Sequence, residues 1–317
     1  MKKLFIILLV TLFLSGCAAE EGTDTGEIID WEDKYVSIPE ITKEYEIWFI
    51  SDSHIIIPDE DESDEIKEYT AKRIPVFSND AGVDSSQVFS EFIKSANENK
   101  PDLILFGGDI LDSPSEANIA FLKKELEILT VPYVFVFGNH DWTYPWEYMT
   151  ENGIKEIRPL FQNVLLGNMG PDINVTEEEN GYGSVLEFEE FTVLAIDNSS
   201  NQIPPEAVSS MEAAYSLNKP IILLQHVPLS TKNLIKTAKK HWGNPVVLGM
   251  QIHGGIAPNH DSAKLLEKVY HDHSLIRVIL SGHVHFPYEE NISESTVEII
   301  TDAAYKRKAV RLYINSR

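Results

Sequence analysis

Pro132 to Asp141 reads PYVFVFGNHD. A run of β-branched and aromatic residues stops at a Gly-Asn turn, and a histidine and an aspartate follow at once. A short apolar run bounded by turn residues has the form of a buried strand. In open α/β sheets the carboxyl end of such a strand is where ligand-binding groups stand. The same pattern recurs on both sides of it. Glu46 to Ser51 (EIWFIS) leads into Asp52-Ser53-His54, and Asp102 to Phe106 (DLILF) leads into Gly107-Gly108-Asp109. Pro220 to Leu224 precedes Gln225-His226, and Leu275 to Leu280 precedes Gly282-His283-Val284-His285.

Helical patterns separate these runs. Ser113-Pro114-Ser115-Glu116 has the form of a capping box with proline at the first helical position. Ile119, Leu122, Leu126 and Leu129 then form an apolar stripe, and Asp84 similarly precedes Phe89, Phe92, Ile93 and Ala96. Ser184–Phe188, Thr192–Ile196, Val297–Thr301 and Ala309–Ile314 read as further strands. The order is β-α-β-α-β at first, then adjacent strand pairs mixed with helices. It predicts one α/β domain with two packed, partly mixed sheets.

Composition sets the outer limits. The 317 residues carry 26 Lys+Arg against 50 Asp+Glu, a net charge of −24, which disfavours nucleic acid as a default partner. At 43% hydrophobic and 10% aromatic, the chain has enough apolar surface for a core and is not disordered. Its single cysteine allows neither an intrachain disulfide nor a thiolate metal cluster. Carboxylates and imidazoles instead suit hard-to-borderline divalent metals. Read as extended segments, D-x-H and H-x-H put both side chains on one face. The neighbouring glycines permit tight turns and close backbone approach.

The ordered set D-x-H, G-D, G-N-H-D, H, G-H-x-H between Asp52 and His285 resembles the calcineurin-like metallophosphoesterase superfamily. That resemblance implies a two-sheet α/β/β/α sandwich and a dinuclear, metal-dependent hydrolase of phosphate mono- or diesters. Two divalent ions (Mn, Fe or Zn) and a metal-bridging hydroxide go with it. By the same resemblance Asp52, His54 and His285 hold one ion, Asn139, His226 and His283 hold the other, and Asp109 bridges them. His140 stands beside the phosphoryl group, and Asp141 orients its imidazole. The purple acid phosphatase branch carries a tyrosine ligand three residues after the bridging aspartate. Here that position is Asp112, which argues against a tyrosinate-bound ferric site. A lipoprotein that merely binds a phosphorylated ligand on the same fold is the alternative function. The intact ligand set speaks against it.

Residues 1–17, MKKLFIILLVTLFLSGC, place two lysines before an apolar run that ends in Leu14-Ser15-Gly16-Cys17. Eleven residues of helix rise roughly 16 Å, too short for a ~30 Å hydrocarbon core, so a signal peptide fits better than a spanning helix. The ending resembles a bacterial lipobox. It implies cleavage before Cys17, a lipid on its sulfur, and a protein anchored outside the cytoplasmic membrane in the cell envelope. The expected organisation is signal peptide 1–16, acidic tether 17–45 and catalytic domain 46–317. Such a tether extends at most ~100 Å.

Three further segments bear on specificity. Asp59–Glu65 (DEDESDE) reads as an acidic loop, and Lys232, Lys236, Lys239 and Lys240 fall at helical spacing. Both are expected to be solvated. The turn-rich stretch Trp242–His260 is a candidate substrate-contacting loop, and Tyr144, Trp146 and Tyr148 are candidate pocket or core aromatics.

Overall fold

The computed structural model describes residues 29–142, 151–161, 163–177, 181–243, 257–271 and 273–316. The signal segment, Cys17, Tyr144, Trp146, Tyr148 and most of the 242–260 stretch lie outside these described residues.

The apolar runs become strands of two sheets. The first contains β1 (Asp30–Ser37), β2 (Tyr45–Ile50), β3 (Leu103–Phe106), β4 (Tyr133–Phe135), β5 (Leu166–Gly167) and β13 (Lys308–Asn315), in the order β1-β13-β2-β3-β4-β5. The second contains β6 (Asn174–Glu177), β7 (Gly183–Glu187), β8 (Thr192–Ile196), β9 (Ile221–Leu224), β10 (Ile276–Ser281), β11 (Tyr288–Asn291) and β12 (Val297–Ile300), in the order β11-β12-β10-β9-β8-β7-β6. Alternation along each strand divides the apolar side chains between two faces. Ile47, Phe49, Leu103, Leu105 and Val134 of the first sheet share one core with Val193, Ile222, Leu224, Val278 and Leu280 of the second. Their neighbours face outward, to be covered by helices.

Helices α2 (Ser85–Asn99) and α3 (Glu116–Ile128) cover the first sheet, packing Phe89, Phe92 and Leu122 against Trp48, Ile104 and Phe106. Helices α5 (Val208–Ser216) and α7 (His260–Tyr270) cover the second through Met211 and Leu265 against Leu194, Ile221 and Leu223. The result is the expected α/β/β/α sandwich. The remaining helices are α1 (Asp64–Arg73), α4 (Glu151–Ile157) and α6 (Lys232–Trp242). Among the described residues no helix is long and apolar enough to cross a membrane.

Four details differ from the sequence reading. The tether does not extend to residue 45, because Asp30–Ser37 is a strand paired in parallel with β13 along its whole length. Its charged face disguises it: Asp33 pairs with Arg311 at 2.7 Å and Lys34 with Glu289 at 2.8 Å, while Trp31, 4.2 Å from the Trp48 ring, and Val36 pack inward. Secondly, α3 is capped by Ser115, whose side chain accepts from the Asn118 N–H, and Ser113 instead accepts from the Asn118 side chain. Thirdly, the acidic loop is shorter than expected. Ser63 caps α1, and Asp64 and Glu65 form its first turn, where the helix dipole favours carboxylates. Finally, β5, β6 and β11 are too short or too polar to stand out as apolar runs.

Strands β2, β3 and β4 are mutually parallel, as are β8, β9, β10 and β12. The residues that follow β2, β3, β4, β9 and β10 therefore meet at one end of the sandwich.

Candidate metal centre

Three clusters of possible donors form there, one of them His54, Asp112 and His140, and the other two share Asp109. In the first of those two, Asp52, His54, Asp109 and His285 bring ligand atoms within 4.8 Å of one another, and in the second Asp109, His226 and His283 do the same. His54 Nε2 faces His285 Nε2 at 3.1 Å, and Asp52 Oδ1 stands 3.1 Å from that same His285 nitrogen. Asp109 belongs to both groups: its Oδ2 is 3.3 Å from His226 Nε2 and 3.9 Å from His54 Nε2. Its Oδ1 accepts the His140 N–H at 2.7 Å. Asn139, next to His140, keeps its amide oxygen buried. All seven residues assigned as ligands by resemblance thus lie on the converging loops.

The backbone there is not extended. Asp52, His54, Asp109, His283 and His285 have φ of 58°, 46°, 49°, 72° and 54°, all left-handed. In each motif the outer two residues are left-handed, so the side chains converge through two turns of the chain rather than along one face of a strand. Each such residue costs on the order of 1–3 kcal/mol. The surrounding hydrogen bonds hold it. Asp52 N–H donates to Gly108 O at 2.9 Å, His54 N–H to Asp109 O at 2.9 Å, and His283 N–H to the Asp52 carboxylate at 3.0 Å. Gly108 is left-handed too, at φ 87°, and a Cβ there would meet the His226 ring at 2.8 Å. Only glycine fits.

The donor set asks for cations. Asp52 and Asp109 are fully buried, and among the described residues no lysine or arginine pairs with either. Buried charges of that kind are held only by compensating charge. Burial alone would raise the Asp109 carboxyl, yet His226 and His140 hold it well below the usual range. Burial would lower the His226 imidazole, but Asp109 and Asp52 push it up to about 10. The two acids thus demand positive charge at His226 Nε2, which a proton or a divalent ion supplies. The Gly107 carbonyl, 2.8 Å from Nδ1, fixes the ring with Nε2 turned inward. Burial brings His54 down to about 4, leaving a neutral imidazole suited to a metal. The residues fit two divalent ions that share Asp109.

Asp141 does not orient His140. Its carboxylate accepts three backbone N–H groups, from Gly138 at 2.7 Å, Leu111 at 2.9 Å and Asp109 at 3.0 Å. Those bonds tie the loops after β3 and β4 together and leave the carboxylate engaged with main chain. The acid beside the His140 imidazole is Asp112, with Oδ1 3.2 Å from Nδ1. The same oxygen lies 3.6 Å from His54 Nδ1.

Arg73, the last residue of α1, grips Asp112 through Nε at 2.9 Å and a terminal nitrogen at 2.5 Å. Burial would raise the Asp112 carboxyl, but Arg73 and then the two histidines hold it far below the usual range. Against the lowering effect of burial, Asp109 and Asp112 raise His140. Arg73 sits outside every ligand motif and was not among the sequence candidates. Asn198 was also missed. Its Oδ1 accepts the N–H groups of His226 and Val227 at 3.0 and 2.9 Å.

Other candidates stand apart from the donor groups. Lys232, Lys236, Lys239 and Lys240 are exposed along α6, and among the described residues none of them makes an ion pair. His241 packs on Phe286 at 4.7 Å, and His260, His271 and His273 lie on or after α7.

Residues 45–287 match the family model for calcineurin-like phosphoesterase. The chain is 23% identical over 222 residues to one component of the nuclease SbcCD of Staphylococcus epidermidis, covering 66% of this chain and 53% of that protein. It thus spans about half the length of the curated relative it matches. Among solved structures it is similar to a dimetal phosphatase from Danio rerio, with TM-score 0.45, 12% identity, and coverage of 83% of this chain and 88% of the other. It is likewise similar to a purple acid phosphatase from yellow lupin (Lupinus luteus) seeds, with TM-score 0.48, 14% identity, and coverage of 84% and 45%.

Proposed function

The chain belongs to the calcineurin-like phosphoesterase family, and on that premise we propose that it hydrolyses phosphate mono- or diesters at the Asp109-centred site. One observation carries this reading. A single buried carboxylate oxygen of Asp109 faces the imidazole nitrogens of both donor groups, at 3.3 and 3.9 Å. When bound, two divalent ions supply Lewis acidity at the phosphoryl group and lower the pKa of a water.

The protein's own groups do the rest. Asp52, His54 and His285 would hold one ion and Asn139, His226 and His283 the other, with Asp109 common to both. His140 is partly open to solvent, with 22% of its side chain exposed, while Asp112 engages its Nδ1. In the doubly protonated ring, Nδ1–H turns to Asp112 and Nε2–H is the proton that goes to the leaving oxygen. Asp112 and Arg73 fix the ring that does this.

The test is turnover of p-nitrophenyl phosphate against bis(p-nitrophenyl) phosphate, with metal content measured alongside. Hydrolysis of either ester by the metal-loaded protein supports the reading. Two bound metals with turnover of neither would sink it and favour a phosphate-binding protein. We further propose that Cys17 carries the lipid that anchors the protein outside the cytoplasmic membrane, supported by the lipobox-like Leu14–Cys17 segment. A Cys17→Ser protein that still incorporates labelled lipid would overturn it.

A further inference from the structure

Asn139 and His226 are assigned to the same ion, yet they come from different sheets. Asn139 follows β4 of the first sheet, and His226 follows β9 of the second. Their spacing is therefore set across the sandwich, and a ligand set of this kind must be held to within about 0.5 Å. Asp197, Asn198 and Ser199 are placed to fix it. They follow β8, are buried, and lie outside every ligand motif.

Asn198 holds the His226 side. Its Oδ1 accepts the N–H groups of His226 and Val227, and its Nδ2 donates to Val227 O at 2.7 Å. Both ends of the amide are used, so it grips the turn in one orientation. His226 O in turn accepts Gly282 N–H at 2.9 Å, beside His283, the third residue assigned to that ion. Ser199 holds the Asn139 side. Its hydroxyl accepts the indole N–H of the buried Trp142 at 2.9 Å. The Trp142 ring lies 4.1 Å from Phe137, so the two rings bracket the Gly138–Asp141 turn that carries Asn139 and His140.

Arg158 closes the arrangement. Its guanidinium lies over the Phe137 and Trp142 rings, at 4.8 and 5.0 Å, and pairs with Asp197, whose other oxygen accepts Ser199 N–H at 2.9 Å. The residues assigned to the other ion are tied elsewhere: Asp52 N–H to Gly108 O, His54 N–H to Asp109 O, and His285 O to Lys306 Nζ. We propose that Asn198 and Ser199 are positioning residues for the second metal position, joining its Asn139 and His226 loops into one frame and leaving the first position alone. The inference rests on the two-ion reading of the site and goes beyond it by giving the two positions separate supports.

Manganese is the probe, titrated calorimetrically into the full-length protein after chelator treatment, with bound metal counted by inductively coupled plasma spectrometry. The parent is expected to take up two ions. Asn198→Ala should raise the Kd of one ion on the order of 10- to 100-fold and leave the other within about threefold. Ser199→Ala should weaken the same ion by about tenfold, and it carries the test if Asn198→Ala folds poorly. Backgrounds identify the ion. Asn198→Ala should still weaken the ion that remains in His54→Ala, and should change nothing further in His226→Ala. Excess manganese should restore ester turnover in Asn198→Ala, because the ligands themselves are intact. Unchanged affinities in the folded variants, or equal weakening of both ions, would overturn the positioning role. A parent that binds two ions but hydrolyses no ester would leave that role standing and defeat the hydrolase reading. A parent that binds one ion would defeat the two-ion site and the positioning role together.

Discussion

Asp141 and Asp112 are two buried acids on the loops that shape one centre, and they do opposite work. Asp141 spends its carboxylate on backbone, gathering the N–H groups of Asp109, Leu111 and Gly138. Asp112 spends its carboxylate on side chains, meeting Arg73, His140 and His54. Adjacency in sequence suggested that Asp141 would orient its neighbour His140. The 3-10 turn His140–Trp142 instead keeps Asp141 on the buried side while His140 faces the site. One acid builds the loops and the other tunes the histidines.

That contrast breaks most visibly at Asp141. Asp141→Ala leaves three buried N–H groups without their acceptor, so stability should fall on the order of 3–5 kcal/mol, measured by denaturant unfolding. Asp112→Asn should cost far less stability and instead lower kcat on the order of 100-fold. It also removes one of the acids that raise His140. The protonated His140 needed for the leaving group is then lost at lower pH, so the alkaline limb of the pH profile moves down. Arg73→Ala should also lower kcat, by about tenfold, with partial recovery in Arg73→Lys; its alkaline limb should move up rather than down, because the guanidinium charge lowers His140. If Asp141→Ala proves stable and catalytically dead while Asp112→Asn is fully active, the two roles are reversed.

A third buried acid sharpens the comparison with the smallest effect. Glu298 on β12 accepts from Leu229 N–H at 2.9 Å and from the Ser281 hydroxyl at 3.0 Å, and among the described residues no lysine or arginine pairs with it. Burial pushes it up from the ordinary 4.5 to about 8. As pH rises through that interval the unfolded chain gives up its proton while the folded chain keeps it, so stability falls with pH until about 8. Glu298→Gln does not carry this loss. Its Tm advantage over the parent should be small at acid pH and grow to several degrees near pH 8. An advantage that shrinks toward pH 8 would contradict the sign.

The sequence made the ligand loops legible for a physical reason. Val134, Leu105 and Leu224 are buried on a sheet, so their runs are continuously apolar, and polar residues that break off at the strand ends stand out. The strand β1 was not legible, because Asp33 and Lys34 point to salt-bridge partners far along the chain and only Trp31 and Val36 of the strand pack on a core. Left-handed backbone at Asp52, His54, Asp109, His283 and His285 was also hidden, since it is imposed by hydrogen bonds between loops and not by local residue preference. Arg73 was invisible for a similar reason. A helix-terminal arginine carries no signature of the acid it will meet 39 positions later.

We propose that Asp109 joins two metal positions into one catalytic centre. Metal content by inductively coupled plasma spectrometry, measured with phosphate-ester turnover in the parent protein and in Asp109→Ala, tests it most directly. The expected result is two divalent ions per parent chain, with Asp109→Ala losing hydrolysis and binding fewer than two. A parent that hydrolyses esters with one ion, or an Asp109→Ala protein that keeps two ions and full turnover, would contradict it.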